Sequence, residues 1–231
     1  MNTKDIINGD DQILEIFKNT APGTYRHCLN VSLLCEAVGE IMNDINSENL
    51  VIAAKLHDIG KCNNPKYFSE NQDQDNVHDS LEASVSYQYI SRHVADSVLA
   101  LVQMGCPIDI IKIVSEHHGD SVIGSLHNKA PDVDENFFRY KSSKPTMKES
   151  CILMICDVIE SAARAYFNAG KLDDEKILID NLINRLIDDE QLDILTIGDI
   201  RIIKKILVKE VKSIYHKRVD YGKENTEAID Q

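Results

Sequence analysis

Apolar residues recur along most of this chain with the period of an α-helix, and almost no segment alternates as a strand would. A short leading helix is predicted from Asp11 to Lys18. The next helix has Pro22 near its start, where proline is favoured, and an apolar stripe of Leu29, Leu33, Leu34 and Val38. Ser47 is predicted to cap a third helix, which carries apolar residues up to Leu56. The pattern predicts an all-α fold.

The same period predicts the remaining helices. Ser80 to Met104 is expected to be helical, as one helix or as two that meet near His93. Pro107 opens the next helix, and Gly119 ends it directly after His118. The last three helices are predicted over Thr146 to Phe167, Asp173 to Asp188 and Ile197 to Lys217.

Two polar segments interrupt the helices. Residues 61–80 are rich in asparagine and predict a loop of about twenty residues, a length that usually marks function or disorder. Residues 128–150 form a second loop-like stretch, which contains two prolines. Its basic residues are a candidate phosphate-binding edge, with a solvated charge run as the alternative. They are Arg139, Lys141, Lys144 and Lys148.

The chain length of 231 residues suits one large domain, and 43% hydrophobic residues can bury a core. There is no internal repeat and no low-complexity linker at which to divide the chain. The predicted organisation is a helical lead over residues 1–20, a single domain over residues 21–221 and a disordered tail over residues 222–231.

The formal net charge of −13 argues against a nucleic-acid polymer as partner. No run of about 18 apolar residues occurs, and the N-terminus MNTKDIINGD is polar. We therefore expect no membrane insertion, no secretory signal and a cytoplasmic location. The six cysteines include no CxxC pair, so we expect reduced, buried thiols. No feature of the sequence identifies a protein partner.

Seven side chains of metal-binding type recur along the chain. Imidazole and carboxylate are ligands that divalent ions accept, and a carboxylate can bridge two ions. Five histidines and two aspartates are enough for a dinuclear centre, and their mixed donors favour iron or manganese over zinc. Cysteine is absent from the set, which argues against a closed structural zinc site. The seven are His27, His57, Asp58, His93, His117, His118 and Asp157.

The predicted helices give several of these ligands special positions. Gly60 is expected to end the third helix just after two of them. His117 and His118 would point about 100° apart on a regular helix, so they reach one site only where the helix breaks or where two ligand positions are addressed. Asp157 follows the apolar run CILMIC, where an unpaired carboxylate would be costly and a metal would supply its partner.

Each histidine taken alone has an ordinary alternative, as a surface or a satisfied core residue, so the prediction depends on the whole set. His78, His127 and His216 fall outside it. His216 fits the solvated end of a helix. His78 either donates a hydrogen bond near the site, at the end of the first loop, or caps the following helix.

Several motifs resemble the HD-domain metal-dependent phosphohydrolases, namely His27, HDIGK at 57–61 and Asp157. Over about residues 21–221 the chain is similar to the cytosolic domain of the PgpH-type cyclic di-AMP phosphodiesterases, without their membrane part. The matching stretches are APGTYRH (21–27), HDIGK, PKYFSENQ (65–72), NVHD (76–79), ISRHV (90–94), EHHG (116–119), FRYKSSKP (138–145), CDVIESAAR (156–164) and IYHKRVDY (214–221). The resemblance implies an HD-domain helical bundle with a C-terminal helical extension.

The resemblance also implies a division of the ligands between two ions. One ion would be held by His27, His57, Asp58 and Asp157, and the other by Asp58, His93, His117 and His118, with Asp58 as the bridge. The implied reaction is hydrolysis of cyclic di-AMP to linear pApA, with iron or manganese. We expect attack on phosphorus by a hydroxide that bridges the ions.

Candidate substrate contacts lie near these ligands. Lys61 is expected to stabilise charge on the phosphate and to help the 3′ oxygen leave, with a surface position as the alternative. Arg139 or Lys144 would share the charge-stabilising role. Asn71 and Gln72 carry amides that can read an adenine edge.

Other functions stay open at the level of sequence. Single-metal HD enzymes need only the first and last ligands, which leaves the three later histidines without a role. The cyclic di-GMP branch carries GYP after its paired histidines, whereas here Gly119 leads into DSVIG. The substrate could be a linear dinucleotide or a nucleoside phosphate. A di-iron oxygenase would consume oxygen, and a degenerate regulatory module would be free of metal.

Overall fold

The computed structural model describes residues 12–72, 75–172 and 174–224, with side chains up to residue 215. The helices of these residues are α1 (Gln12–Thr20), α2 (Pro22–Gly39), α3 (Ser47–Leu56), α4 (Ala83–Gln103), α5 (Ile108–Glu116), α6 (Gly124–Lys129), α7 (Lys148–Asn168), α8 (Glu175–Asp188) and α9 (Ile197–Glu224). Within the described residues, the one β-type pairing is an isolated antiparallel bridge between Val122 and Arg139. The predicted all-α fold is confirmed.

The larger buried apolar cluster of the described residues extends from Leu14 in α1 to Tyr215 in α9. α2 packs against α3 and α7, while α9 packs against α2, α7 and α8. α1, predicted as part of a separate lead, contributes Leu14 and Phe17 to the same cluster. No helix within the described ranges is both long enough and apolar enough to cross a membrane.

Several helix ends differ from their predicted positions. α7 begins at Lys148 rather than at Thr146. α8 begins at Glu175, because the carboxylate of Asp174 accepts hydrogen bonds from the first backbone N–H groups. α9 continues to Glu224, so residues 222–224 of the predicted tail are helical. The predictions at Asp11, at Asp173 and over residues 225–231 lie outside the described residues.

Asn46, not Ser47, caps α3. The Asn46 side chain accepts a hydrogen bond from the backbone N–H of Asn49, as an N-cap residue does. The Ser47 hydroxyl instead donates to the carbonyl of Gly39 at the end of α2. The prediction was wrong by one residue, and Ser47 joins the two helices whose packing sets the position of the α3 C-terminus.

Residues 59–72 and 75–80 form short 3₁₀ helices rather than an irregular loop. These helices are Ile59–Asn63, Pro65–Tyr67, Ser69–Asn71 and Val77–Ser80. Asn71 fastens the segment to the start of α2, because its side-chain oxygen accepts from the N–H groups of Gly23 and Thr24. The same amide donates to the Thr24 hydroxyl and to the Pro65 carbonyl. The segment is thus held against the helix that carries His27.

Gly60 allows this segment to touch the backbone of α4. A Cβ at this position would lie 2.4 Å from the His93 carbonyl oxygen and 2.4 Å from the Ser97 nitrogen. α4 is one continuous helix through His93, so the alternative of two helices meeting there was wrong. α3 already ends at Leu56, and Gly60 serves close packing rather than helix termination.

The segment between α5 and α7 contains more structure than predicted. It includes the short helix α6 and a 3₁₀ helix over Glu135–Phe138. A second, smaller buried cluster joins this segment to α4. It consists of Ile123, Leu126 and Phe138 from the segment and Ala83 from the start of α4. This cluster lies beside α4, so the segment has a fixed path along the helix that carries His93.

Candidate metal centre

The seven predicted ligand side chains meet at one place, although they come from distant parts of the chain. They come from α2 (His27), the turn after α3 (His57 and Asp58), the middle of α4 (His93), the turn after α5 (His117 and His118) and α7 (Asp157). Their donor atoms form three groups with all separations within 4.8 Å: His27, His57 and Asp58; His93, His117 and His118; His57, His117 and Asp157. The first two groups match the division implied by the resemblance, and the third connects them.

The two oxygens of Asp58 face different groups of histidines. Oδ2 lies 3.6 Å from Nε2 of His27 and 3.3 Å from Nε2 of His57. Oδ1 lies 3.2 Å from Nε2 of His93 and 3.9 Å from Nε2 of His117. This is the arrangement that a bridging carboxylate needs, because each oxygen can serve a different ion.

Three of the histidines are oriented by their own helices. The Nδ1 atoms of His57, His93 and His117 lie 2.9, 2.6 and 2.6 Å from the carbonyl oxygens of Ala54, Ile90 and Val114, each three residues earlier. An Nδ1–H that donates to a carbonyl fixes the ring and leaves Nε2 as the lone-pair atom. All three Nε2 atoms therefore point into the centre as potential ligands.

The break after α5 brings two adjacent histidines to the same centre. α5 ends at Glu116, and Gly119 has a positive φ of 53°, which glycine adopts at little cost. Nε2 of His118 then lies 3.2 Å from Nε2 of His93, and its Nδ1 lies 3.7 Å from Oδ2 of Asp157. The helix was predicted to continue through His118 and to stop at Gly119, but it ends two residues earlier, and Gly119 instead turns the chain after the two histidines.

His27 is oriented by a side chain that the sequence reasoning missed. Its Nδ1 forms a hydrogen bond with Oε2 of Glu160, one turn after Asp157 in α7. Glu160 is fully buried, and its other oxygen accepts from the Asn30 amide at 2.8 Å. A carboxylate behind a ligating histidine is a recurrent support in metal sites. Only the fold could reveal it, because 133 residues separate the partners.

The unpaired polar atoms of the centre fit a cation. Nε2 of His57 and Oδ1 of Asp58 are buried and have no hydrogen-bond partner. Buried acceptors without partners are rare because they are costly, and a bound ion would satisfy them. The donors are imidazole and carboxylate with no thiolate, which suits a divalent ion of intermediate hardness. The residues present therefore fit a divalent metal site.

The protonation of the centre is set by burial and by its charges. Burial alone would raise the pKa of Asp58, but the charge of Lys61 and the neighbouring His57 hold it well below its usual range. Burial, with the nearby rings of His57 and His93, lowers the pKa of His117 to about 3. Ionised carboxylate and neutral imidazole are the forms that bind metals.

His27 differs from His117 in its protonation. Burial alone would lower the pKa of His27, but hydrogen bonds to Asp157 and Glu160 raise it to about 10. Without a metal, the ring therefore holds a second proton at neutral pH. Nε2 lies 3.0 Å from Oδ1 of Asp157, so this proton occupies the direction in which a metal would bind.

Lys61 lies against the centre, as predicted, rather than on the surface. Its Nζ is 2.7 Å from Oδ2 of Asp58 and 2.9 Å from Oε1 of Glu70, and it lies over the Phe68 ring. Burial alone would lower the pKa of Lys61, but these two carboxylates raise it well above its usual range. The ammonium group is therefore a permanent positive charge beside Asp58.

The amides of the predicted loop are engaged within the protein. Both polar atoms of Asn71 hold the segment to α2 and to Pro65, as described above. The Gln72 amide donates to the carbonyl of Lys66. His78 lies 2.7 Å through Nε2 from the carbonyl of Tyr67, while its buried Nδ1 has no partner. The alternative that His78 caps the following helix was wrong, because the N-cap position of α4 is Glu82. Adenine contacts by Asn71 and Gln72 remain a prediction, which requires these bonds to open.

Arg139 and Lys144 are paired with acidic residues away from the seven ligands. Arg139 donates to Glu135 and Asp189, and Lys144 donates to Glu190. Neither forms an ion pair with a ligand of the centre among the described residues. The structure does not bring these two to the centre, and their predicted role toward phosphate stays a prediction.

Tyr140 is the aromatic residue of the centre that the sequence reasoning missed. Its ring stacks on His118 with centroids 4.3 Å apart and planes 17° apart. The chain is extended at Arg139, next to the Val122 bridge, so consecutive side chains point to opposite sides. Tyr140 therefore faces the centre, while the preceding residue, Arg139, which was the predicted substrate contact, faces away.

The helical fold and the His/Asp centre are those of an HD domain. A model of the HD domain matches residues 24–162, which include all seven ligands, and the chain belongs to this family. Its relatives include the cyclic-di-AMP phosphodiesterase PgpH of Bacillus subtilis, which is 31% identical over 96% of this chain. PgpH of Listeria monocytogenes is 34% identical over 94% of this chain. The chain covers 32% and 31% of these two relatives, about a third of their length.

The fold also matches a solved structure. The crystal structure of the L. monocytogenes PgpH HD domain superposes with a TM-score of 0.81 at 34% identity, covering 88% of this chain and 99% of that one. The same domain in complex with cyclic-di-AMP also has a TM-score of 0.81 and covers 89% of this chain. These matches cover more of the chain than residues 24–162, so they continue beyond the span of the family model.

Proposed function

We propose that this chain hydrolyses a cyclic dinucleotide, cyclic di-AMP to pApA, at a centre of two divalent metal ions. The observation that carries the proposal is the bridging position of Asp58 between two groups of histidines. Two ions on one carboxylate form the arrangement used for in-line displacement at phosphorus. Cyclic di-AMP is proposed because the similar L. monocytogenes domain was solved with that molecule.

The proposed ligands follow from the distances. His27, His57, Asp58 and Asp157 would hold one ion, and Asp58, His93, His117 and His118 the other. Iron or manganese is proposed rather than zinc, because all donors are nitrogen or oxygen. Such ions supply Lewis acidity, which activates water near neutral pH and neutralises charge on a phosphate.

The remaining residues would position the substrate and stabilise charge. The most exposed side chains of the centre are His118 at 16%, Lys61 at 12% and Asp157 at 8%, so we place the phosphate on this side. Lys61 would stabilise the negative charge that develops there, because its ammonium group is already fixed and desolvated. The Tyr140 ring would hold His118 in one orientation by stacking.

The domain organisation and the location are also proposals. Residues from Leu14 to Tyr215 share one core, which supports a single functional domain that includes α1 and α9. The six cysteines are all free thiols, as expected in the reducing cytoplasm that we propose as the location.

Metal analysis combined with hydrolysis assays tests the proposal. Protein purified without chelators is expected to contain two divalent ions and to cleave cyclic di-AMP faster than cyclic di-GMP or linear dinucleotides. His117→Ala should lose one ion and most turnover. His127→Ala is the matched control, because His127 lies outside the centre, and it should keep both. Oxygen consumption without phosphodiester cleavage would instead favour an oxygenase, and full activity of His117→Ala would contradict the ligand assignment.

A further inference from the structure

The C-terminal helix reaches the metal centre through one hydroxyl group. We propose that Tyr215 of α9 is a positioning residue for the centre: it holds Glu160, and Glu160 holds His27. The proposal rests on the metal centre argued above and adds a residue from outside the span matched by the HD-domain model, residues 24–162. It assigns α9 a part in metal binding in addition to its part in the core.

Glu160 is held by donors from three helices. Oε1 accepts from Asn30 of α2 at 2.8 Å and from the Tyr215 hydroxyl at 3.1 Å. Oε2 pairs with Nδ1 of His27 and accepts from Nε of Arg164 at 3.3 Å. Each oxygen thus has two partners in a site with no solvent access. The direction in which Oε2 points depends on how Oε1 is held.

The packing of α9 against its neighbours fixes the position of the Tyr215 side chain. Its side chain is 2% exposed, and its ring contacts Phe167 of α7 with centroids 5.2 Å apart. Ile203, Leu207 and Val211 lie on the same buried stripe of α9. The ring packing fixes the hydroxyl opposite Glu160, where it also donates to the Glu160 backbone carbonyl at 3.4 Å, and this packing would persist without the hydroxyl. Tyr215→Phe therefore removes the interactions of the hydroxyl and keeps the ring.

The path to the metal is short. The hydrogen bond to Glu160 keeps a hydrogen on Nδ1 of His27. Nε2 is therefore the ring atom that is left to bind a metal. Rotation of Glu160 would turn the imidazole away from Asp157 and Asp58, which lie 3.0 and 3.6 Å from Nε2. Because coupling between two equilibria is reciprocal, metal binding should in turn stabilise the docking of α9.

The test compares wild type, Tyr215→Phe and Val211→Ala. Val211→Ala is the matched control, because it removes buried contacts of α9 one turn earlier and leaves the Glu160 hydrogen bonds in place. Manganese affinity of the metal-stripped proteins is measured by competition with a chelating dye. Tyr215→Phe should weaken binding of one ion about tenfold, the lower end of the range for outer partners of a ligand. Val211→Ala should bind both ions as wild type does.

Hydrogen exchange gives a readout that does not depend on turnover. Manganese should slow amide exchange in residues 204–215 of wild type and should slow it less in Tyr215→Phe. Equal manganese affinity and equal protection in wild type and Tyr215→Phe would overturn the proposal while leaving the metal centre intact. If the wild-type protein bound no divalent ion, the proposed metal centre would be contradicted, and the role of Tyr215 with it. If Val211→Ala weakened manganese binding as much as Tyr215→Phe does, the effect of Tyr215 would come from packing alone, and the positioning role would be wrong.

Discussion

The amino group of Lys61 lies 2.7 Å from the Asp58 oxygen that also faces His27 and His57. One oxygen of the bridging carboxylate is thus shared between a lysine and the proposed metal. The positive charge cannot move away, because Glu70 and the Phe68 ring enclose it on the other side. Lys61 therefore adds a permanent charge where a phosphate would meet the centre.

Lys61→Met should abolish most turnover and leave the ions in place. The change removes one preorganised charge, for which a loss of about 10²–10³ in turnover is usual. In the metal-free protein it leaves the carboxylates of Asp58 and Glu70 buried without their cation, which should cost about 3–5 kcal/mol of unfolding free energy. Steady-state assays and urea unfolding measure the two effects. Lys66→Met is the control, because Lys66 lies in the same segment, is exposed and forms no ion pair with another described residue. Normal turnover in Lys61→Met would contradict the role.

Asp58→Asn should reduce the metal content more than the loss of any single histidine. Asn keeps the shape of the side chain but cannot bind two cations, so both ions should be lost. His93→Ala should lose only one, because His93 approaches only Oδ1 of Asp58. Elemental analysis after gel filtration gives the number of ions per chain. Asp96→Asn removes the same charge elsewhere on α4, where Asp96 pairs with Arg92, and should retain two ions. Two ions in Asp58→Asn would exclude the bridge.

Metal binding should release protons near neutral pH. The pKa of His27 is raised to about 10 from 6.5, so its extra proton stabilises the metal-free fold below pH 6.5. That contribution is lost as the pH rises from 6.5 towards 10. A metal at Nε2 must displace the proton, so affinity should increase up to about tenfold per pH unit in this range. Calorimetry at pH 7.5 in two buffers of different ionisation enthalpy counts the protons. His27→Gln should release about one fewer, and binding without proton release would contradict the assignment.

Gly60→Ala should destabilise the protein and disturb the centre. The new methyl group would meet backbone atoms of α4 at 2.4 Å, and backbone cannot rotate away as a side chain can. Overpacking of this kind costs about 1–3 kcal/mol or more and would move Asp58 away from His93. Urea unfolding and metal content are the measurements. Gly198→Ala, near the start of α9 with no neighbour closer than 3.4 Å, should be neutral or stabilising by up to about 1 kcal/mol. Equal stability of both variants would contradict this reading of Gly60.

Residue type and motif were enough to predict which seven side chains meet at one place, but not the atoms that support them. Histidine and aspartate have few other reasons to recur in this pattern, so all seven candidate ligands could be named from the sequence. Glu160, Tyr140 and Tyr215 resemble ordinary helix or loop residues, and only tertiary packing brings them to the ligands. The support of His57, His93 and His117 by carbonyls three residues earlier is local and could have been expected from their helices.

The segments between helices were predicted less well, for two physical reasons. The 3₁₀ helices of residues 59–80 have no strong periodicity, and they are held by the tertiary bonds of Asn71. The orientation of Arg139 and Tyr140 depends on an extended backbone at one bridge to Val122. Charge alone favoured Arg139 as a residue of the site, whereas the alternation of the chain places Tyr140 against His118.

Sharing of Asp58 has a consequence for how the protein would respond to metal supply. Binding of the first ion would fix the rotamer of this carboxylate. The second ion would then bind with a smaller loss of conformational entropy, because the shared side chain is already ordered. Occupancy should then rise steeply with free metal concentration, and half-filled molecules should be scarce. The molecules would then divide into those with two ions and those with none. The proposed hydrolysis of a cyclic dinucleotide would therefore switch on over a narrow range of free metal concentration.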